Sequence, residues 1–109
     1  MKLTRNLGLS LLTSLSLMAA DSALAERQME IVNQTGFEII EFFSHRKGLE
    51  DWGVNLISEA PIGSYDARVF DFNDGSGYCL YSFKVVFNDG EALVSDDVNI
   101  CDLPSFTYY

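Results

Sequence analysis

Residues 78–100 read YCLYSFKVVFNDGEALVSDDVNI, and the fold is decided there. In the first half Tyr81, Phe83, Val85 and Phe87 alternate with Ser82 and Lys84, the period of two that turns one face of a strand to a core and the other to water. The run breaks at Asp89-Gly90, which supplies the positive φ of a tight hairpin turn. Beyond it the apolar residues Ala92, Val94, Val98 and Ile100 fall on even numbers. If odd positions of one arm and even positions of the other both face inward, cross-strand partners must have numbers summing to an odd value, as in 85 with 94. Cys79 opposite Cys101 breaks that rule by one residue, and a one-residue slip exchanges the two faces. Either a β-bulge near Asp96-Asp97 relieves the conflict, or Cys101 lies past the strand end and curls back. Two adjacent acids in a core strand favour the bulge.

Outward from this hairpin the same grammar continues. β-Branched and aromatic runs at 29–34, 37–44 and 67–72 are separated by Thr35-Gly36 and by 73–77 (NDGSG), and 105–109 forms a last edge strand after Pro104. A long polar segment holding Gly48, Gly53, Pro61 and Gly63 is sized to cross from one sheet to another. No sustained 3.6-residue periodicity occurs after residue 25. The expectation is all-β, a small antiparallel β-sandwich of about six strands.

The first 25 residues belong to a different problem. Lys2 and Arg5 precede a fourteen-residue apolar zone from Leu7 to Ala20, and Ala23-Leu24-Ala25 places small residues at −3 and −1 of a cleavage site. This order is that of a secretory signal peptide. The apolar zone is too short to span ~30 Å of hydrocarbon. Cleavage after Ala25 leaves residues 26–109 as one domain of 84 residues. Losing Lys2, Arg5 and Asp21 from seven basic and sixteen acidic side chains leaves five against fifteen, a net charge of −10. Such a domain repels nucleic acid and anionic headgroups and suits a cationic protein as partner. A periplasmic or secreted location follows, with no stable membrane insertion after cleavage.

Cys79 and Cys101 are expected to pair in that oxidising compartment. So short a domain buries only about 60–65% of its unfolded surface. A bridge closing 22 residues adds about 3 kcal/mol by loop-closure entropy.

Chemistry-bearing motifs are few. Asp71-Phe72-Asn73-Asp74-Gly75-Ser76-Gly77 has the oxygen ligands of a calcium loop but not the spacing, since the twelfth position is Ser82 rather than a carboxylate. It reads as turn chemistry. His45 is the one histidine, beside Ser44, but strand neighbours point to opposite faces, so the two make no nucleophile–base pair. With Arg46 and Lys47 it forms the one positive cluster of an acidic domain, a candidate partner contact. Trp52 in Glu50-Asp51-Trp52-Gly53-Val54-Asn55-Leu56-Ile57 is either a binding hot spot or, the reading its size favours, a plug closing one end of the sandwich. Asn33-Gln34-Thr35 is a glycosylation sequon, discounted because the Lys-led signal is of bacterial type. No catalytic set, metal site or cofactor is expected.

Several pieces occur together: Val32-Asn33-Gln34-Thr35-Gly36, Trp52-Gly53-Val54-Asn55-Leu56-Ile57, Tyr78-Cys79-Leu80-Tyr81 running into Phe87-Asn88-Asp89-Gly90, and Asn99-Ile100-Cys101-Asp102-Leu103. From residue 30 to 106 the chain thereby resembles a family of small exported bacterial β-domain proteins of unestablished function. Some such proteins carry an argininosuccinate lyase label. That enzyme is a large helical cytoplasmic tetramer, and this chain has neither its size nor its motifs. The resemblance implies a small exported β-domain and no functional residues. The expected function is a non-enzymatic acidic interaction module of the cell envelope. The alternative is an acidic inhibitor of a cationic envelope-targeting protein such as lysozyme, with a small hydrolase third.

Overall fold

A computed structural model describes residues 27–109; the expected signal peptide and its cleavage after Ala25 lie outside them. The described residues hold six strands and no helix, and the strands form two three-stranded sheets. They are β1 (Gln28–Asn33), β2 (Ile39–Arg46), β3 (Asp66–Asp71), β4 (Leu80–Phe87), β5 (Ala92–Asn99) and β6 (Ser105–Tyr108). One sheet has the order β3-β1-β6 and the other β2-β4-β5. The pairing is antiparallel except for β1 with β6, which run parallel. The expected wholly antiparallel sandwich is corrected at that one edge. After β5 the chain crosses to the other sheet and enters β6 in the direction of β1. The expected strands all exist, with ends moved by up to two residues.

An aromatic stack joins the sheets. The Phe42 ring lies 4.8 Å from Phe70 and 5.2 Å from Phe83, Phe72 stacks on Phe83 at 5.1 Å, and Phe106 meets Phe83 edge-on at 5.7 Å. Met29, Ile31, Ile39, Ile62, Val85 and Ile100 fill the space around them and are fully buried. In β4 every odd residue from Tyr81 to Phe87 is buried and every even one partly exposed, as the alternation requires. In β2 the register shifts between Ile39 and Glu41, which turns both Ile39 and Phe42 inward although they are three apart.

The hairpin resolves the parity conflict in an unexpected way. Phe87 N–H donates to Glu91 O (2.8 Å) and Gly90 N–H to Phe87 O (2.9 Å), so the loop holds Asn88, Asp89 and Gly90 rather than two residues. Only Gly90 takes positive φ, 91°. The extra loop residue pairs Val85 with Leu93 and Lys84 with Val94. Ala92 and Val94 therefore lie on the outer face and are exposed, against the expectation that they face the core. Between Phe83↔Ser95 and Tyr81↔Val98 the single residue Ser82 then faces both Asp96 and Asp97. This is the expected bulge. Asp97 adopts φ 57°, a left-handed conformation that Asp tolerates better than most. Past it Val98 and Ile100 return to the core.

Cys101 also sits beyond the end of β5, in a turn where Asn99 Oδ1 accepts from the N–H groups of Cys101 (3.0 Å) and Asp102 (3.3 Å). Both proposed reliefs thus operate together. The Cys79–Cys101 disulfide is formed, with Cα atoms 5.3 Å apart.

Asn33 is the buried polar keystone at the β1–β2 turn. Its Nδ2 donates to the carbonyls of Phe37 (2.8 Å), Ile62 (3.1 Å) and Gly63 (3.1 Å), while Oδ1 accepts from Thr35 N–H (3.0 Å) and Oγ1 (2.6 Å). The sequon asparagine therefore serves the fold, tying the turn to the crossover.

Candidate functional site

The crossover 47–65 places the candidate residues. It is tied to the outer edge of β2 at two points. Ile39 and Ile62 exchange both backbone bonds at 3.0 Å, and Phe42 O accepts from Leu56 N–H at 2.7 Å. At the second point Asn55 acts as a surrogate strand: its Oδ1 accepts from Phe42 N–H (2.9 Å) and Ile57 N–H (3.0 Å). Asp51 Oδ1 accepts from Gly53 N–H (3.0 Å), and Gly53 turns the chain at φ 73°. These bonds fix where Trp52 lands.

Trp52 does not plug the core. Ile57 is the buried side chain of this segment, while Trp52 is half-buried on the outside of the β2-β4-β5 sheet. Its ring lies 4.4 Å from that of His45. Lys84, cross-strand partner of Phe43, sets its ammonium 5.4 Å from the Phe43 ring and 5.9 Å from the Trp52 ring.

The basic cluster comes apart. His45 faces Trp52, and Arg46, on the alternate side of β2, lays its guanidinium 4.4 Å from the centre of the Tyr78 ring. Lys47 is drawn away to the bulge, where Nζ pairs with Asp97 Oδ1 at 3.0 Å. These three residues do not converge on one anion.

His45, Arg46 and Trp52 instead border an open cleft of about 300 Å³ at the end of the sandwich, with Asp51, Asp71 and Asp74 among its other walls. The cleft thus carries three carboxylates, two of which, Asp71 and Asp74, read in the sequence as turn chemistry. The turn assignment holds as well: Asp71 Oδ1 accepts from Asn73 N–H (2.9 Å), Asn73 Oδ1 from Gly75 N–H (3.2 Å), and Asp74 Oδ1 from Ser76 N–H (2.9 Å). The Ser76 hydroxyl, foremost among its hydrogen-bonding neighbours, holds the Asp74 carboxyl below its usual range, so it stays ionised. At the floor, burial and then the neighbouring Asp74 push the Tyr81 phenol up, and its hydroxyl donates to Phe72 O at 3.3 Å. No local sequence signal joins Asp71 and Asp74 to Trp52, because the crossover brings them together from different sheets.

Chemically the cleft offers a half-exposed indole and three carboxylates against one guanidinium, that of Arg46, which lies over the Tyr78 ring. That combination suits a cation held over an aromatic face with carboxylates around it. Among the described residues no group of three or more His, Cys, Asp or Glu is placed to hold a metal ion. No helix among them is long and apolar enough to cross a membrane. No protein-family model, curated protein or solved structure matches the chain.

Proposed function

We propose that this chain is an exported, non-enzymatic interaction module of the cell envelope whose Trp52 cleft recognises a cationic protein. The supporting observation is the half-exposed Trp52 ring, fixed over His45 at a cleft bordered by Asp51, Asp71 and Asp74. A lysine or arginine of a partner entering there meets an aromatic face and carboxylates at once. The charge balance agrees: five basic against fifteen acidic side chains follow residue 25, and among the described residues the one ion pair is Lys47–Asp97. The disulfide is compatible with an oxidising compartment, and a signal peptide over residues 1–25 would deliver the chain there.

The inhibitor reading draws on the same excess of unpaired acid. Lysozyme serves as a cationic probe for both. Its titration should change the Trp52 emission, and raising salt from 50 to 300 mM should weaken the interaction several-fold. Trp52→Ala should weaken binding about tenfold, as loss of an aromatic hot spot does. Undiminished binding by that variant would refute the cleft as the site. Inhibition of lysis in the same mixtures would select the inhibitor reading over simple association.

A further inference from the structure

A second surface lies at the other end of β4, seven residues and roughly 20 Å from the Trp52 cleft. It is a groove of about 360 Å³ between the β1–β2 turn, the β4–β5 loop and the last residue. Its apolar lining is unusually bare: Phe37 is 50%, Leu93 41% and Tyr109 90% exposed. Leu93 is there because the three-residue loop turned it to the inner face beside Val85, at a place the facing sheet leaves open. Asp89 and Glu91 border the groove, and no basic residue lines it.

The adjoining backbone is equally unfinished. β5 is an edge strand, and its register directs the N–H and C=O groups of Ala92 and Val94 away from β4. Among the described residues those groups have no hydrogen-bond partner. The bulge at Asp96-Asp97 ends this open edge abruptly, leaving only a short stretch beside the apolar groove.

We propose that this edge is a strand-addition site for an extended segment of a cationic partner protein, whose groove-facing side chains are apolar beside Leu93 and basic beside Glu91. Backbone bonds to Ala92 and Val94 give such a segment its register. Every second side chain then faces the groove, an apolar one at Phe37, Leu93 and Tyr109 and, two residues along on the same face, a basic one at Asp89 and Glu91. Charge selects the class of occupant: an acidic or neutral segment meets two uncompensated carboxylates, whereas a lysine-bearing one neutralises them. This surface is separate from the Trp52 cleft and stands or falls without it.

The test is amide chemical-shift mapping on the exported, disulfide-bonded protein with the synthetic peptide Thr-Lys-Thr-Leu-Thr-Lys, whose Lys and Leu share one face of a strand. The expected shifts centre on Ala92, Leu93, Val94, Phe37 and Tyr109. Leu93→Ser should weaken binding at least fivefold. Val94→Pro, which removes an outward N–H and no ladder bond, should do the same. Asp89→Asn with Glu91→Gln should weaken it and flatten its salt dependence. Equal affinity for Thr-Lys-Thr-Ser-Thr-Lys would overturn the groove. Shifts confined to the Trp52 cleft would overturn this proposal while leaving the cleft reading intact. Absence of any peptide binding would overturn it too, and so would sedimentation showing that β5 pairs with a second copy of the chain.

Discussion

The phenol of Tyr108 ends β6 between the two sheets, 4% exposed, with its ring 5.2 Å from Phe106 and 6.5 Å from Phe87. Its hydroxyl is buried and has no hydrogen-bond partner among the described residues; Ser95 is near enough to pull its pKa slightly down but completes no bond. A buried unpaired hydroxyl costs about 1–3 kcal/mol, and Tyr108→Phe removes it while keeping the ring. The expected result is a domain more stable by about 1 kcal/mol, with its melting midpoint raised by about 4–8 °C. The same residue makes a second, pH-dependent signature. Burial pushes the folded-state pKa of Tyr108 well above its ordinary value of 10. The folded state therefore keeps a proton that the unfolded state releases. Stability is complete below pH 10 and is lost as pH rises above it, by about 1.4 kcal/mol at pH 11 for one such group. Tyr108→Phe should remove that part of the alkaline loss, leaving the smaller contribution of Tyr81, which is raised in the same direction. Urea unfolding at pH 7 and pH 11, disulfide intact, measures both effects. A variant destabilised by more than about 0.5 kcal/mol at pH 7 would mean the hydroxyl is bonded after all, and the reasoning would fail.

Two more predictions concern the framework. Asn33→Ala removes the amide that ties the Phe37, Ile62 and Gly63 carbonyls together and the acceptor of Thr35 N–H, so unfolding should become easier by about 2–3 kcal/mol, read as a fall in the urea midpoint. Replacing Cys79 and Cys101 together by Ala should cost about 2–4 kcal/mol, whereas alkylation of the exported wild-type protein without reduction should leave both cysteines unmodified.

What the sequence disclosed followed from how locally each feature is determined. The core face of β4 is written in its own alternation, and the disulfide in the count and compartment of its cysteines. β5 was misread at Ala92 and Val94 because its facing is set by the loop before it, and Asn88-Asp89-Gly90 serves a three-residue turn as readily as Asp89-Gly90 serves a two-residue one. The parallel union of β1 with β6 joins residues far apart in sequence and leaves no mark in either strand. Ile62, fully buried, lies in a segment whose glycines and Pro61 announce only a loop. Trp52 could be singled out as the sole tryptophan, but its neighbours Asp71 and Asp74 arrive through the crossover and could not.

The bulge at Asp96-Asp97 ties these outcomes together. Were the loop register to continue past Ser95, Ser82 would face Asp96 and Tyr81 would face Asp97. That would drive a carboxylate into the aromatic core beside Tyr81 and turn Val98 out to water, a buried unpaired charge that costs several kcal/mol. One extra residue avoids this. Asp97 swings into the left-handed conformation and stays in solvent, Ser82 Oγ donates to Asp96 Oδ1 at 2.7 Å, and Val98 regains the core. The displaced Asp97 also pairs with Lys47, away from His45 and Arg46. At the other end, the register before the bulge is what leaves Leu93 inward and uncovered. The loop thus sets the facing of Leu93, and the pair of acids that looked like a flaw in a core strand restores the core facing of Val98.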